Sequence, residues 1–291
     1  MSFFADVPKA PPDPLLSITG RFKADSRPNK FDLGIGVLRR TDNTSHEFET
    51  VKVAAKSVAP SCFYPHPGGD DKFVSLMAEV IFGSSLPPRL LVSQGITTMM
   101  LPDPSWANHK PLLGGGGLKI TEYRYFKQDT HTGLARGLNE DIQIVRKFLD
   151  AGLEFAVCSS CSKNFGLYGE RVGSFLLLVP PLFGAKIVST ILSDPELRKK
   201  WEQELAETRT TLNRAHAAFA QALSKGGLDS KFSAPRFGLF TQLYLNEQQV
   251  LSLEKDHACY VAPGGRVNVS SLDEQAAASV ANAVVQVLKS T

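Results

Sequence analysis

Helical and strand patterns alternate along most of the chain, and this alternation predicts an α/β fold. Two amphipathic helices are the main evidence. The first starts at Asp70 and runs to about Phe82, with apolar residues three and four positions apart. The second begins at Ser193 and ends at Gly226-Gly227, with a single apolar stripe over many turns. Because helices mix with short strands after the second helix, we expect a smaller α+β unit at the C-terminal end.

Short apolar runs between these helices predict the strands, and capping residues predict further helices. The strands are predicted over residues 31–37, 90–92, 119–126, 155–158, 237–245 and 266–269. Another helix is predicted over 141–149. The long helix and a final C-terminal helix are expected to start with capping boxes, Ser193 with Glu196 and Ser271 with Glu274. The proline-rich residues 8–14 predict an extended arm.

The composition indicates a globular protein and excludes several functional classes. Of the 291 residues, 43% are hydrophobic and 21% are charged, as is usual for a globular domain. The net charge of +3, without a long basic run, predicts no nucleic-acid partner. Since the sequence has no run of about 18 apolar residues and no signal-peptide pattern, we expect no membrane association. Four cysteines in a chain of this length indicate a reducing cytoplasm rather than a disulfide scaffold.

The segment from Ser160 to Gly173 has the composition of a chemical site. It contains Lys163 just past a short apolar strand, where we expect the charge to be costly to desolvate. A lysine in such a place suits Schiff-base chemistry. The Ser160 hydroxyl and the Arg171 guanidinium can both bind one phosphate group. The alternative is a glycine-rich loop with an ordinary surface lysine, and the residue types alone leave both interpretations open.

The twelve residues SKNFGLYGERVG, from Ser162 to Gly173, closely resemble the cofactor-binding motif of the aspartate aminotransferase family. This family uses pyridoxal 5'-phosphate and has fold type I, so the resemblance implies a mostly parallel central sheet flanked by helices, plus a smaller α+β domain. It also implies that Lys163 forms the Schiff base with the cofactor and moves the proton at the substrate Cα. Ser160 and Arg171 would hold the phosphate.

Two further segments resemble blocks of the same family, in the same order. In PDPSWANHK, Trp106 would stack on the cofactor ring and His109 would lie beneath it. Without the resemblance, a buried core aromatic would be the ordinary interpretation of Trp106. In FYPHPGG, Tyr64 would reach the phosphate of the neighbouring subunit, which implies a homodimer.

The substrate-binding residues are also implied by resemblance. The segment DLGIGV resembles the loop that closes over substrate, with Ile35 and Gly36 lining it together with Trp106. Near the C-terminus, GRVNV resembles the strand whose arginine, here Arg266, binds the α-carboxylate of the substrate. A planar guanidinium matches a carboxylate with two parallel hydrogen bonds, which lysine cannot provide.

The resemblance divides the chain into an N-terminal arm with part of the small domain (1–36), a large cofactor-binding domain (37–192) and a long connecting helix with the C-terminal small domain (193–291). Three family segments have no counterpart, near 96/97, 145/146 and 179/180. Their loss would leave open sheet edges inside the domain. We therefore expect these residues to be the ordered parts of a longer chain, and an intact mass near 31.7 kDa would contradict this expectation.

The remaining motifs predict no metal site. Cys158 and Cys161 form a CxxC pair, but no second pair and no suitably spaced histidines complete a zinc site. A structural or incidental role is the preferred interpretation of this pair.

The function implied is that of a cytoplasmic, homodimeric aspartate aminotransferase of amino-acid metabolism. It would exchange the amino group between L-aspartate and 2-oxoglutarate, a small amino acid and a 2-oxo acid. One alternative is the same chemistry with a preference for aromatic substrates, because the segment expected to bind the side-chain carboxylate is absent. Another is a non-catalytic or cofactor-free homologue that acts as a binding protein.

Overall fold

The computed structural model describes residues 14–59, 70–82, 98–103, 109–110, 119–124, 126–127, 132–133, 147, 150–151, 159–170, 172–174, 182–228 and 238–290. The chain forms two compact units. The terminal unit consists of Met1–His46 together with Glu207–Thr291, and the central unit consists of Glu47–Ala206. One long helix passes from the central unit into the terminal unit. The domain limits given above stay a prediction.

The described elements follow one another along the chain with helices and strands interspersed. The helices are α1 (Pro14–Ala24), α2 (Glu49–Ser57), α3 (Asp71–Phe82), α4 (Cys161–Asn164), α5 (Leu182–Ser193), α6 (Pro195–Lys225), α7 (Glu247–His257) and α8 (Glu274–Ser290). The strands are β1 (Phe31–Asp32), β2 (Thr98–Asp103), β3 (Lys119–Arg124), β4 (Phe126–Lys127), β5 (Thr132–Gly133), β6 (Ser159–Ser160), β7 (Gly173–Ser174), β8 (Phe240–Gln242), β9 (Cys259–Tyr260) and β10 (Arg266–Asn268). Among the described helices, none is both long enough and apolar enough to cross a membrane.

The central unit contains a parallel strand pair and a helical layer. Strands β2 and β3 run parallel over six residues each, whereas β4 with β5 and β6 with β7 are antiparallel. Helices α2 and α3 both pack against α5, whose apolar residues are buried along most of its length. Within α3, Phe73 and Met77 are fully buried, and each such side chain contributes about 1.5–3 kcal/mol through burial.

The terminal unit is built around the C-terminal half of α6. Phe219 and Leu223 of α6 are buried in one core with Val280 and Val284 of α8 and with Leu253 of α7. Strand β1 is parallel to β9, and β10 is antiparallel to β8. A hydrogen bond joins the two strand pairs: the Asn268 N–H of β10 donates to the Leu33 carbonyl, just after β1, at 2.8 Å. This arrangement brings the end of β1 beside β10.

Several helix ends agree with the sequence pattern, and two differ from it. Asp70 caps α3, since its Oδ1 accepts from the Phe73 N–H at 2.7 Å. Helix α6 is capped by Asp194 rather than Ser193, and α8 by Asp273 rather than Ser271. In both cases the aspartate lies immediately before the first helical residue, so its carboxylate reaches the free N–H groups first.

Five helices were not expected from the sequence, namely α1, α2, α4, α5 and α7. Helix α7 begins with a capping box, in which Asn246 and Gln249 exchange side-chain and backbone hydrogen bonds. Of the predicted extended arm over residues 8–14, only Pro14 is described, and it begins α1, because proline suits the first turn of a helix. The predicted strands over 90–92 and 155–158 lie outside the described residues.

Candidate functional site

Lys163 lies on a short turn, residues 159–174, here named the lysine turn. Strands β6 and β7 form its base, with Ser160 opposite Gly173. Ser160 then caps α4, since its Oγ accepts from the Ser162 N–H at 3.2 Å. Lys163 is therefore the third residue of a helical turn that starts at a fixed point. The Ser160 and Lys163 side chains are both exposed, so the expected burial of Lys163 is wrong for the described structure.

Two glycines make the lysine turn possible. Gly166 has a φ of 64°, a backbone conformation that other residues adopt at a cost. At Gly173, an added Cβ would lie 2.5 Å from the Ser159 carbonyl oxygen. The close approach of the two backbones therefore requires glycine at 173. Together these glycines fix the shape of the turn that carries Lys163.

The side of the turn that faces the protein is held by Trp201 of α6. The Trp201 indole is stacked on the Phe165 ring, with centroids 4.5 Å apart and planes 8° from parallel. Its Nε1–H also donates to the Asn164 carbonyl at 2.8 Å. Phe165 is fully buried and Trp201 is 5% exposed. A buried aromatic pair with a satisfied indole N–H therefore anchors the backbone directly after Lys163, at Asn164 and Phe165.

The Lys163 amine has an aromatic neighbour. Its Nζ lies 4.5 Å from the centroid of the Tyr168 ring, within the range of a cation–π interaction. Cys161, at the start of the same turn, is buried, and this burial raises the pKa of its thiol to about 12. A thiol with that pKa is protonated at neutral pH and is a poor nucleophile. The Cys161 thiol is therefore a poor candidate for the chemistry of the turn, and Cys158 lies outside the described residues.

Arg266 is the first residue of β10 in the terminal unit. Strands β10 and β8 together are here named the arginine strand. The Arg266 guanidinium lies over the Phe240 ring, 4.3 Å from the centroid, and its Nη2 donates to the Gly34 carbonyl at 3.3 Å. Its Nε atom is buried without a hydrogen-bond partner. Burial lowers the pKa of Arg266, but an arginine stays protonated even so. Among the described residues, Arg266 forms no ion pair, unlike Arg39, which pairs with Asp32 at 2.7 Å.

The loop predicted to cover substrate lies against the arginine strand. Ile35 and Gly36 are partly exposed, whereas Gly34 is buried, with an added Cβ expected 3.1 Å from the Ile18 side chain. Asn268 of β10 donates to the carbonyls of Ile35 and Val37. The structure therefore brings together the three substrate-binding residues predicted in this unit, Arg266, Ile35 and Gly36.

The other predicted site residues are less fully described. His109 is partly buried and helical, beside Lys110, which pairs with Glu122 of β3 at 2.8 Å. Trp106, Tyr64 and Arg171 lie outside the described residues. Their predicted roles stay predictions.

Three residues contact predicted site residues or their neighbours within the same unit and had no predicted role in the site. Trp201 was assigned only to the buried stripe of the long helix, although a tryptophan within the charged run RKKWEQE is a signal of specific packing. Asn268 is a poor strand residue between two valines, which indicates a buried hydrogen-bonding role. Tyr168 gave no signal, because it lies five positions after Lys163 and no periodicity relates the two.

Comparison with known proteins finds aminotransferases to be similar to this chain. Residues 129–179, which include the lysine turn up to β7, match the family model "Aminotransferase class I and II". The aspartate aminotransferase of Escherichia coli is 27% identical, and the alignment covers 98% of this chain and 100% of that protein. An aromatic-amino-acid aminotransferase of Pseudomonas aeruginosa is 26% identical, over 99% of both chains. The first alignment spans 395 positions against 291 residues here, so that relative contains internal segments that this chain lacks.

Solved structures of similar proteins show the same fold. The aromatic-amino-acid aminotransferase of Burkholderia pseudomallei, covalently bound to pyridoxal phosphate, has a TM-score of 0.86 and 25% identity, and the match covers 99% of this chain and 100% of that one. The cytoplasmic aspartate aminotransferase of Saccharomyces cerevisiae also has a TM-score of 0.86, at 22% identity, over 99% of this chain and 98% of that one. These matches confirm the predicted α/β fold of fold type I. In sequence and in fold, the chain is thus similar to aminotransferases of class I and II.

Proposed function

We propose that the protein is a pyridoxal-phosphate-dependent aminotransferase that exchanges the amino group between L-aspartate and 2-oxoglutarate. The observation that supports this most is the lysine turn. It presents an exposed amine three residues after an exposed hydroxyl, on a backbone fixed by Gly173 and Trp201. The turn lies within the segment that matches the family model.

The described residues fit the cofactor. A phosphate needs hydrogen-bond donors that are free to face it, and the Ser160 side chain is exposed at the start of α4. A carbonyl carbon of the cofactor needs an accessible amine, and Lys163 is exposed as well. By resemblance, Arg171, Trp106, His109 and the partner subunit's copy of Tyr64 would complete the cofactor site. When bound, the cofactor supplies an electron sink that weakens the bonds at the substrate Cα.

Lys163 is proposed to move the proton at the substrate Cα. The task requires a flexible side chain, because the same Nζ must take the proton at one atom and return it at another. An exposed lysine on a rigid backbone meets that requirement. The Tyr168 ring, 4.5 Å from Nζ, stabilises the ammonium form by about 0.5–1 kcal/mol, as expected for an exposed cation–π contact.

Arg266 is proposed to bind the α-carboxylate of the substrate. Its guanidinium is partly buried, its Nε lacks a partner, and it forms no ion pair among the described residues. A partly desolvated cation without an ion pair gains most from an anionic ligand. Ile35 and Gly36 would border the bound substrate, because their loop contacts the same strand.

Substrate preference is the finer part of the proposal. Relatives named for aspartate and for aromatic amino acids are 27% and 26% identical to this chain. The comparisons therefore also support a second candidate, an aminotransferase for aromatic amino acids. Aspartate is preferred here because the strongest sequence motif resembles that of the aspartate enzymes. Rates with L-aspartate and with L-phenylalanine, each with 2-oxoglutarate, distinguish the two.

The expected result is a kcat/KM at least about tenfold higher for L-aspartate, corresponding to about 1.4 kcal/mol of transition-state discrimination. A higher value for L-phenylalanine would replace the first candidate with the second. No turnover with either substrate, in protein that binds pyridoxal phosphate, would favour the non-catalytic alternative.

A homodimer in the cytoplasm is the proposed assembly and location. The basis is resemblance alone, since Tyr64 would belong to the neighbouring subunit's cofactor site. Light scattering of the purified protein would test the dimer, and a mass of one chain at micromolar concentration would contradict it.

A further inference from the structure

We infer that Asn268 is a positioning residue, which fixes the loop of residues 34–37 beside the guanidinium of Arg266. The inference rests on the proposed function, because Arg266 is the residue proposed to bind the substrate carboxylate. It assigns a separate role to a side chain that would not touch the substrate.

Asn268 binds the loop through both hydrogens of its side-chain amide. Its Nδ2 donates to the Ile35 carbonyl at 2.6 Å and to the Val37 carbonyl at 2.8 Å. Its backbone N–H donates to the Leu33 carbonyl at 2.8 Å, just before the loop. One residue of β10 therefore holds the loop at its start, its middle and its end.

The orientation of the Asn268 amide is itself fixed. Its Oδ1 accepts from the Ser270 N–H at 3.0 Å, and the residue is 1% exposed. A primary amide has two donor hydrogens and one acceptor oxygen, and all three are used here. Rotating the amide by half a turn would bring its oxygen against two carbonyl oxygens. The observed orientation is the one that satisfies every polar atom of the amide.

Arg266 and Asn268 act on the same loop from the same strand. They are two residues apart on β10, so their side chains project to the same side of the strand. Arg266 donates to the Gly34 carbonyl, and Asn268 donates to the next carbonyls along the loop. On the neighbouring strand β8, Phe240 is paired with Asn268, and its ring lies against the Arg266 guanidinium. The guanidinium is therefore enclosed between an aromatic ring and a loop whose position depends on Asn268.

A loop held in this way is ordered before substrate arrives. If the hydrogen bonds of Asn268 were absent, substrate binding would have to order residues 34–37, and part of the binding energy would be lost. A misplaced loop would also shift the Gly34 carbonyl and with it the Arg266 side chain. Losing the amide donors should therefore weaken substrate binding more than it slows the reaction of bound substrate.

The test uses Asn268→Asp, with Asn246→Asp as a matched control in the same unit. Asn246 acts as an acceptor when it caps α7, and aspartate is an equally good cap. At 268, in contrast, the same change replaces two donors by an oxygen that faces two carbonyls. Both variants add one charge, but this charge is buried at 268 and exposed at 246. Asn268→Ala, which removes the donors without adding a charge, is therefore measured beside them to separate the two effects.

Two measurements are made on each variant. The first is hydrogen exchange of the amides of residues 33–38 in protein without cofactor, where we expect an increase of about tenfold or more for both variants at 268 and none for Asn246→Asp. The second is steady-state kinetics with aspartate, where KM should rise at least about tenfold while kcat changes less. The absorbance of bound pyridoxal phosphate should stay as in the wild type, because Lys163 lies in the central unit.

If Asn268→Asp does not fold, the test rests on Asn268→Ala alone. Unchanged exchange of residues 33–38 in the folded variant would overturn the inference, and so would a fall in kcat with an unchanged KM. If the wild type itself shows no transamination, the proposed function fails, and hydrogen exchange alone then decides whether Asn268 fixes the loop.

Discussion

The lysine turn and the arginine strand hold their cations in opposite ways. In the lysine turn, the backbone is fixed by Gly173 and Trp201, while the Lys163 side chain is exposed. In the arginine strand, the Arg266 side chain itself is enclosed, by Phe240 and the Gly34 carbonyl. A residue that moves a proton between atoms needs a mobile side chain on a rigid base. A residue that binds a planar carboxylate needs a rigid side chain.

This difference in exposure also explains why the lysine turn carries a lysine at 163 and the arginine strand an arginine at 266. An exposed ammonium costs little to keep charged, because water solvates it. Burial lowers the pKa of Arg266, and a lysine under the same burial would lose its charge far more readily. Arginine at 266 keeps its charge and offers a planar pair of donors.

The largest expected effect is that of Arg266→Lys. We expect kcat/KM for an amino-acid substrate to fall by roughly 100-fold, because the bidentate geometry and the stacking on Phe240 are both lost. The matched control is Arg198→Lys on α6, whose exposed pair with Glu79 should be worth little. Equal kinetics for the two variants would show that Arg266 does not bind substrate.

Gly173→Ala should be the most destabilising small change in the lysine turn. The added Cβ would meet the Ser159 carbonyl oxygen at 2.5 Å, so the two strands would have to separate at a cost of about 1–3 kcal/mol. Gly169→Ala is the control, since nothing lies within 4 Å of the position that its new methyl group would take. Urea unfolding of both variants measures the difference, and equal midpoints would mean that the close approach of β6 and β7 is not required.

Trp201→Phe removes one hydrogen bond from the lysine turn and leaves the aromatic stack in place. We expect a loss of about 0.5–1.5 kcal/mol, because the Asn164 carbonyl loses its indole donor. Hydrogen exchange should rise at residues 164–167 and stay unchanged at residues 266–268 of the arginine strand. A rise of equal size in both regions would indicate general destabilisation and would contradict a local role for Trp201.

The smallest effect concerns the stability of the terminal unit and its dependence on pH. Hydrogen bonds from Arg27 and then Tyr260 hold the pKa of Asp25 well below its usual value of about 4. Asp25 therefore contributes stability above about pH 4, and this contribution is lost as the pH falls further. The unfolding free energies of wild type and Asp25→Asn should differ near pH 6 and converge below pH 4. A difference that does not change with pH would contradict this.

The sequence predicted the parts of the fold that depend on local pattern. Helix α3 starts after Asp70, as its cap and periodicity indicate, and the end of α6 has Gly227 at a φ of 83°. That glycine allows the Leu228 N–H to bond back to the Leu223 carbonyl and close the helix. Helix α5 was missed because it is apolar on nearly all sides, so no amphipathic pattern marks it.

The candidate site was predictable only as separate motifs. Lys163, Arg266 and the loop of residues 34–37 each lie in a segment that resembles a family motif. Their anchors depend on contacts between distant residues: Trp201 with Asn164, and Asn268 with Ile35. Such pairs follow from packing of separate elements, which local pattern does not encode. The exposure of Lys163 was likewise mispredicted, because its burial depends on the surrounding fold.

The most direct test is the absorbance spectrum of the purified protein after pyridoxal phosphate is added, compared between wild type and Lys163→Ala. If Lys163 binds the cofactor covalently, the wild type gains a visible band that borohydride removes, and the variant gains none. A band of the same position and strength in Lys163→Ala, or no band in folded wild-type protein, would contradict the assignment of Lys163 as the cofactor-binding lysine.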